Sequence, residues 1–413
     1  MAAEHQAGGF REVQQGLSEG RGRVRIGLFT NNYLPFCGGV TISVETLRCG
    51  LEARGHEVWV FAPRFPGVVD DPARVVRVPS VPAGTYPEFA LAIPWGRGVA
   101  RQARALALDV FHAHHPFLLG PAARRFARRA GRPLVFTYHT RYEKYAHYVP
   151  VTRTLVEAAA LGLSTRFAAR ADAVLAPSGL VRDQLRARGV TAPVAVVPTG
   201  VDLTRFRPGD RLAARRELGL GADDPLLLYV GRLDREKSVD RVLLAFERIA
   251  GTLPSARLWL VGQGKESEAL QRLAARSPAG ARIYFAGVRE HARLAAWYQA
   301  ADCFLFASET ETQGLVLAEA AACGLPAVAV LAPGSDEVVR DGESGILTKG
   351  EAAALAEAAI GLLLDGERRA AMRVRARQLA EAEFDVERQL TRTLDVYAEA
   401  HARCRAAAAG RRG

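Results

Sequence analysis

The sequence contains no apolar run approaching the roughly 18 residues needed to cross a bilayer as a helix. Its opening stretch, MAAEHQAGGFREVQQGLSEGRGR, lacks the apolar core of a secretory leader, so a loose tail over residues 1–22 and a cytoplasmic protein are expected. Cysteine is sparse: Cys37, Cys49, Cys303, Cys323 and Cys404 are odd in number, widely spaced and form no Cys-x-x-Cys pair. That pattern implies neither a disulfide framework nor a zinc site. No short-period repeat is present, which argues against a solenoid. No helix-turn-helix, RNA-recognition or zinc signature occurs, and the basic residues are scattered, so nucleic acid is not an expected partner. The net charge of +11 favours polyanions in general, whether anionic lipid or phosphorylated ligands. Nearly all of that charge is arginine in a chain rich in alanine and glycine, so charge alone does not choose the partner.

What is present is an alternation of short buried strands and helices. At 413 residues the chain is long for one core, and two domains are expected. Residues 24–30 (VRIGLFT) read as a buried first strand, followed by the loop NNYLPFCGGV and a helix over about 41–54 that Gly55 stops. Further strands are read at 58–62, 75–78, 109–112, 134–138, 173–176 and 194–197. A polar, arginine-rich stretch follows residue 200, and from residue 226 the pattern restarts, with strands at 226–230, 258–261, 283–285, 303–306 and 327–330. Buried strands with helical crossovers predict parallel sheets covered on both faces. The expected fold is α/β: two Rossmann-like, doubly wound domains over 23–205 and 206–385, and a charged C-terminal helix over 386–413 packing back on the first. Ligands of such folds bind beyond the carboxyl ends of the strands, so a central cleft between the two sheets is the expected site.

The sharpest motif is SETETQGLVLAEA over residues 308–320. It follows an apolar strand and leads into a helix that Gly324-Leu325-Pro326 ends. Glu311 sits in the turn before this helix and Glu319 about two turns inside it, on roughly one side. Gly314 lets backbone come close to a ligand, and the free N–H groups of the helix start, at Leu315 and Val316, suit phosphate or sugar oxygens. Carboxylates are good acceptors for sugar hydroxyls. An acidic helix start is also favoured by the dipole alone, which accounts for Glu311 but poorly for Glu319. In YVGRLDREKS, residues 229–238, Arg232 and Lys237 stand beyond a strand end as a cationic clamp, one a fork and one a compact charge, suited to a diphosphate.

E-x7-E followed by AxxxGLPAVA, together with the GRLxxxK segment, resembles the donor site of glycosyltransferase family 4, which has the GT-B fold. LWLVGQG at 258–264 and FAGV at 285–288 resemble two further segments of that family, the second of which lies against the nucleotide base in relatives and implicates Gly287 and Val288. The Gly38-Gly39 loop after the first strand is not GxGxxG, so a dinucleotide fingerprint is not supported. In family 4 this loop meets the donor diphosphate, and Gly39 is carried over. His139, at a strand end, matches the family histidine placed near the transferred sugar. The resemblance implies retention of the α-linkage by a front-face route, with Arg232 and Lys237 stabilising the leaving diphosphate. It also implies Glu311 and the N–H groups of Gly314, Leu315 and Val316 on sugar oxygens, and Glu319 on the ribose. His112-Ala113-His114-His115 could suggest a metal, yet no partner carboxylate is identifiable and no Asp-x-Asp occurs anywhere; neither a metal nor a cofactor is expected.

The residue before Gly-Leu-Val, usually Phe, is here Gln313. Residues 138–150 are aromatic and basic. Both features resemble the bacterial enzymes that glucosylate diacylglycerol. The expected substrates are therefore a nucleotide-sugar, UDP-glucose, and a lipid acceptor. Arg124, Arg125, Arg128 and Arg129 beside Phe117, Leu118, Leu119 and Phe126 would let the first domain rest on an anionic membrane at the inner face of the cell membrane, each arginine adding about 1 kcal/mol. The alternatives are a mannosyltransferase acting on a phosphoinositide or polysaccharide, and a nucleotide-sugar epimerase.

Overall fold

The computed structural model describes residues 22–36, 38–65, 67–68, 74–83, 86–94, 96–139, 153–221 and 224–410. Most of the aromatic and basic stretch at 138–150, from Thr140 onward, lies outside the described residues, as do the tail at 1–21 and Cys37. The chain divides into two compact units, Met1–Pro198 with Glu387–Gly413, and Thr199–Val386.

The first unit is built on strands β1 (Arg25–Phe29), β2 (Glu57–Pro63), β3 (Val75–Val78), β6 (Val110–Ala113), β7 (Leu134–Thr137), β8 (Ala173–Ala176) and β9 (Val194–Val196). A hairpin of β4 (Ser80–Ala83) and β5 (Tyr86–Ala92) stands outside the main sheet. All main-sheet pairings are parallel, in the order β3-β2-β1-β6-β7-β8-β9. The order reverses between β1 and β6, so the loops after these two strands flank the topological switch point. The sequence reading missed the hairpin, where Pro82 and Pro87 interrupt any strand-like run.

Phe29 stacks on Phe61 at 4.2 Å between ring centres and Phe111 at 5.8 Å, forming the sheet-side core. The helix Leu119–Ala130 covers this face. Here the surface expected from the sequence is corrected. Leu119 is 0% and Phe126 6% exposed, because the helical period turns both toward the sheet with Ala122 and Ala123. Arg128 and Arg129 are exposed and Arg124 and Arg125 half-buried, so the arginines form a basic stripe without Leu119 or Phe126 beside it on the surface. The C-terminal helix Val386–Ala409 also packs on this unit. Arg54 bonds Glu387 Oε2 at 2.6 Å, and Gly50 is small because a Cβ there would meet Leu390 Cδ1 at 2.5 Å.

The second unit carries β10 (Leu226–Val230), β11 (Arg257–Val261), β12 (Ile283–Gly287), β13 (Cys303–Phe306), β14 (Ala327–Val330) and β15 (Gly345–Thr348), all parallel in the order β12-β11-β10-β13-β14-β15. Its switch point lies between β10 and β13, and the two motif loops, 231–238 and 307–314, leave these two strands. The unit begins at Thr199 rather than at residue 206, because the start of the polar, arginine-rich stretch packs on it. Val201 N–H donates to the Phe384 carbonyl at 2.7 Å, and Phe206 is 1% exposed.

Arg215 is 1% exposed and ties the base of this sheet together. Its guanidinium donates to the carbonyls of Ala300 (3.0 Å), Gly221 (2.9 Å) and Asp224 (2.8 Å) and to Asp302 Oδ2 (2.6 Å). Removing one partner of such a buried set leaves the others unsatisfied. Arg215→Met is expected to lower the stability of the second unit by about 3 kcal/mol or more, read as a shift of the denaturant midpoint; a midpoint unchanged from the parent would refute this account.

Candidate functional site

In the second unit the chain leaves β10 through Gly231 (φ 156°), passes Arg232 and turns through a 3-10 segment, Arg235–Lys237, into the helix Val239–Thr252. It leaves β13 through Ser308 to Gln313, where Gly314 adopts the left-handed conformation (φ 76°) and opens the helix Leu315–Ala322. A residue with a Cβ is disfavoured in that conformation, and the helix start carries no side-chain cap.

The two loops are joined directly. Lys237 Nζ forms an ion pair with Glu311 Oε1. The hydroxyls of Ser308 and Thr310 each donate to the Glu236 carbonyl at 3.4 Å. Arg232 stands between two carboxylates, paired with Asp234 and, at 2.7 Å, with Glu236 Oε1. The structure thus brings Arg232, Lys237 and Glu311 into one connected patch. It also adds Asp234 and Glu236, which are 6% and 4% exposed at their side chains and were not singled out in the sequence. Three carboxylates face two cations, so the clamp is fully neutralised, with one carboxylate in excess, rather than a positive surface. Arg232 lies outside any helix, so no helical spacing rule marks its pairing with Glu236 in the sequence.

Glu319 faces other partners. It is 2% exposed; its Oε1 lies 2.6 Å from His291 Nε2 and its Oε2 accepts from the Tyr298 hydroxyl at 2.8 Å. Gly287 ends β12 with φ 68°, and its carbonyl accepts from Gly262 N–H at 2.9 Å; Val288 beside it is 57% exposed. Gln313 is buried, and its amide pairs both ways with the Thr199 backbone, accepting from N–H at 2.7 Å and donating to the carbonyl at 2.8 Å. A phenylalanine at this position could make neither bond.

In the first unit, Gly39 opens the helix Gly39–Ala53, which has no side-chain cap, and a Cβ on Gly39 would meet nothing within 4 Å. His139 follows β7. Its Nε2 lies 2.8 Å from His114 Nδ1, and the two rings stack with centres 5.1 Å apart. His112 is held on both sides, by Tyr397 Oη at Nδ1 and Thr137 Oγ1 at Nε2, each at 2.7 Å. His115 Nδ1 accepts from Asn31 N–H at 3.1 Å. Among the described residues no group of three or more His, Cys, Asp or Glu side chains is arranged to hold a metal ion.

Burial disfavours the charged form of all four imidazoles. His112 is pushed down to about 3 and His115 to about 4. His114 and His139 are pushed well below the usual histidine range, first by burial and then by neighbouring imidazoles. Each ring therefore binds its proton more weakly folded than unfolded. The stability of the first unit is full above the unfolded histidine pKa of about 6.5 and is lost as pH falls through it toward the folded values. At pH 5 His112 alone costs about 2 kcal/mol relative to neutral pH. The thermal midpoint is expected to fall from pH 7 to pH 5, and His112→Gln to shrink that fall; an equal fall in variant and parent would exclude His112 as a cause.

Residues 37–205 match the family model Glycosyltransferase Family 4, and residues 210–379 match Glycosyl transferases group 1. The chain is 32% identical over 346 residues to an alpha-monoglucosyldiacylglycerol synthase of Streptococcus pneumoniae, covering 82% of this chain and 78% of that protein. It is 36% identical over 383 residues to D-inositol 3-phosphate glycosyltransferase 1 of Catenulispora acidiphila, covering 88% and 91%. Among solved structures, sucrose-phosphate synthase from Thermosynechococcus elongatus superimposes with a TM-score of 0.76 at 25% identity, over 91% of this chain and 98% of that one. Two parallel-sheet α/β units, a charged patch where the second sheet reverses its order, and matches across both halves lead to one conclusion: the chain belongs to glycosyltransferase family 4 and is a retaining hexosyltransferase of the GT-B type.

Proposed function

We propose that the chain transfers glucose from UDP-glucose to a lipid acceptor of the diacylglycerol class, working as a peripheral protein at an anionic membrane surface. The observation that carries this reading is the likeness to the pneumococcal synthase over most of both chains. Gln313 in the turn that opens the helix Leu315–Ala322 supports it. The exposed arginines Arg128 and Arg129 supply a surface that anionic lipid would attract.

In this reading the bond between the sugar C1 and the phosphate oxygen breaks as the acceptor hydroxyl attacks C1 from the same face. The acceptor proton passes to the departing phosphate oxygen, and the α-configuration is kept. Arg232 and Lys237 stabilise the charge growing on the diphosphate. Both cations sit on carboxylates, so a phosphate gains their donors by exchange with Asp234, Glu236 and Glu311. Glu311 and the N–H groups of Gly314, Leu315 and Val316 take sugar oxygens, Glu319 the ribose, and Gly287 and Val288 the base. In the first unit, Gly39 offers an uncapped helix start to a phosphate and His139 an imidazole to a sugar hydroxyl. His139, kept neutral by burial, can donate or accept there but carries no charge.

A second reading, an inositol phosphate acceptor, is favoured by the likeness to the Catenulispora enzyme. Radiolabelled UDP-glucose with diacylglycerol in anionic vesicles, followed by thin-layer chromatography, is expected to yield a labelled glycolipid. Label transferred instead to D-inositol 3-phosphate, or label accepted only from GDP-mannose, would overturn the lipid glucosylation reading. Arg232→Ala and Lys237→Ala are each expected to lower kcat by about 100-fold or more, as for loss of a transition-state donor; near-normal turnover in both would remove the clamp from the mechanism.

A further inference from the structure

Glu319 is a carboxylate taken almost wholly out of water, and such a group is costly unless donors surround it. Two side chains from outside its own helix supply them. His291 opens the short 3-10 turn His291–Arg293, four residues beyond Gly287, and Tyr298 lies in the helix Leu294–Ala300. The 2.6 Å contact to a carboxylate oxygen requires the Nε2–H tautomer or the charged form of His291, because the carboxylate can only accept. Tyr298 is wholly buried and its hydroxyl holds the second oxygen at 2.8 Å. Phe206 lies against both rings, 5.2 Å from that of His291 and 6.0 Å from that of Tyr298, and so limits their movement.

With one oxygen held from each side, the carboxylate plane cannot rotate. A carboxylate has about four acceptor positions, of which these donors occupy two. The remaining positions point in directions set by His291 and Tyr298 rather than by the helix Leu315–Ala322 alone. We propose that His291, seconded by Tyr298, is a positioning residue for nucleoside recognition: it fixes Glu319 in the orientation that accepts from the paired hydroxyls of the donor's ribose. This rests on the assignment of Glu319 to the ribose. His291 touches no reacting atom in this scheme, and its effect is on which nucleotide is held. Pre-organisation of this kind adds affinity by removing an ordering cost from the binding step.

The test uses the full chain and titration calorimetry with UDP, GDP and their 2′-deoxy forms, read as the ratio of dissociation constants for the deoxy and ribo forms of whichever diphosphate binds more tightly. The parent is expected to prefer the ribo form by about tenfold or more, as for a hydrogen bond to a charged group. Glu319→Gln and His291→Ala are both expected to bring that ratio near one, while His291→Gln, which restores an N–H donor, recovers part of it. Thermal melting checks that each variant is folded. Should His291→Ala lose its cooperative melt, Tyr298→Phe, which removes a single buried oxygen, is read by the same ratio and is expected to narrow it. A parent ratio kept in the folded histidine variant, or in Tyr298→Phe where that stands in, but lost in Glu319→Gln would overturn the positioning role and leave the ribose assignment standing. A parent ratio kept in Glu319→Gln, or no preference in the parent, would overturn the ribose assignment itself.

Discussion

Beyond the ends of β10 and β11 two loops cross so closely that a Cβ on Gly262 would stand 1.9 Å from the Gly231 carbonyl oxygen, and one on Gly264 2.4 Å from that of Leu233. Only glycine permits backbone to approach backbone at this distance. The crossing is then laced by hydrogen bonds, from Gly231 N–H to the Val261 carbonyl (3.0 Å), Leu233 N–H to Gln263 (3.0 Å) and Glu266 N–H to Leu233 (2.9 Å). The rest of the second unit's charged patch hangs from this junction. Lys265 N–H donates to Asp234 Oδ1 at 2.9 Å, Asp234 holds Arg232, and the following turn delivers Lys237 to Glu311. A side chain at either glycine would push apart the loops that orient the cations, though it touches none of them.

The patch that results is not the bare cationic clamp that Arg232 and Lys237 suggest in isolation. Partly buried cations without counterions would be costly, and here three carboxylates surround two of them. The balance has a functional side in a transferase. In the proposed reading a diphosphate would compete with carboxylates that already use the same donors, which disfavours weak anions and favours a ligand able to engage both cations at once. The first unit solves a different problem by neutrality. His112, His114, His115 and His139 lie in β6 or just beyond the ends of β6 and β7, and burial disfavours their charge, leaving hydrogen-bonding groups whose roles are set by Tyr397, Thr137, Asn31 and one another.

Much of the site was legible because its chemistry is local. Glu311, Gly314 and the helix after it form one continuous segment, and the strand before it is an unmistakable apolar run. Arg232 and Lys237 likewise sit within one turn of a strand end. Placing both segments at the switch point requires that β10 and β13 be neighbours, which the strand order of the folded sheet supplies. The partners of Glu319 were not legible in this way. His291 and Tyr298 are 28 and 21 residues from it along the chain, in a 3-10 turn and a short helix that the sequence motifs do not mark. Gln313 was noticed as a departure from the usual residue, yet its bond to Thr199, 114 residues away, follows from no spacing rule.

By itself the sequence determined that this is a two-unit α/β chain, that its strands are buried and parallel, and that a glycine turn, two acidic residues and a pair of cations lie beyond strand ends. These follow from hydrophobic periodicity and backbone conformation, which act over a few residues. Tertiary structure alone decided which charges neutralise which, that Leu119 and Phe126 face the sheet rather than the surface, that four histidines, three of them buried, share one cluster, and that Glu319 is gripped by an imidazole and a phenol. Those outcomes depend on burial and on contacts between distant segments, and both the cost of a charge and the choice of its partner are set only once the chain has closed around it.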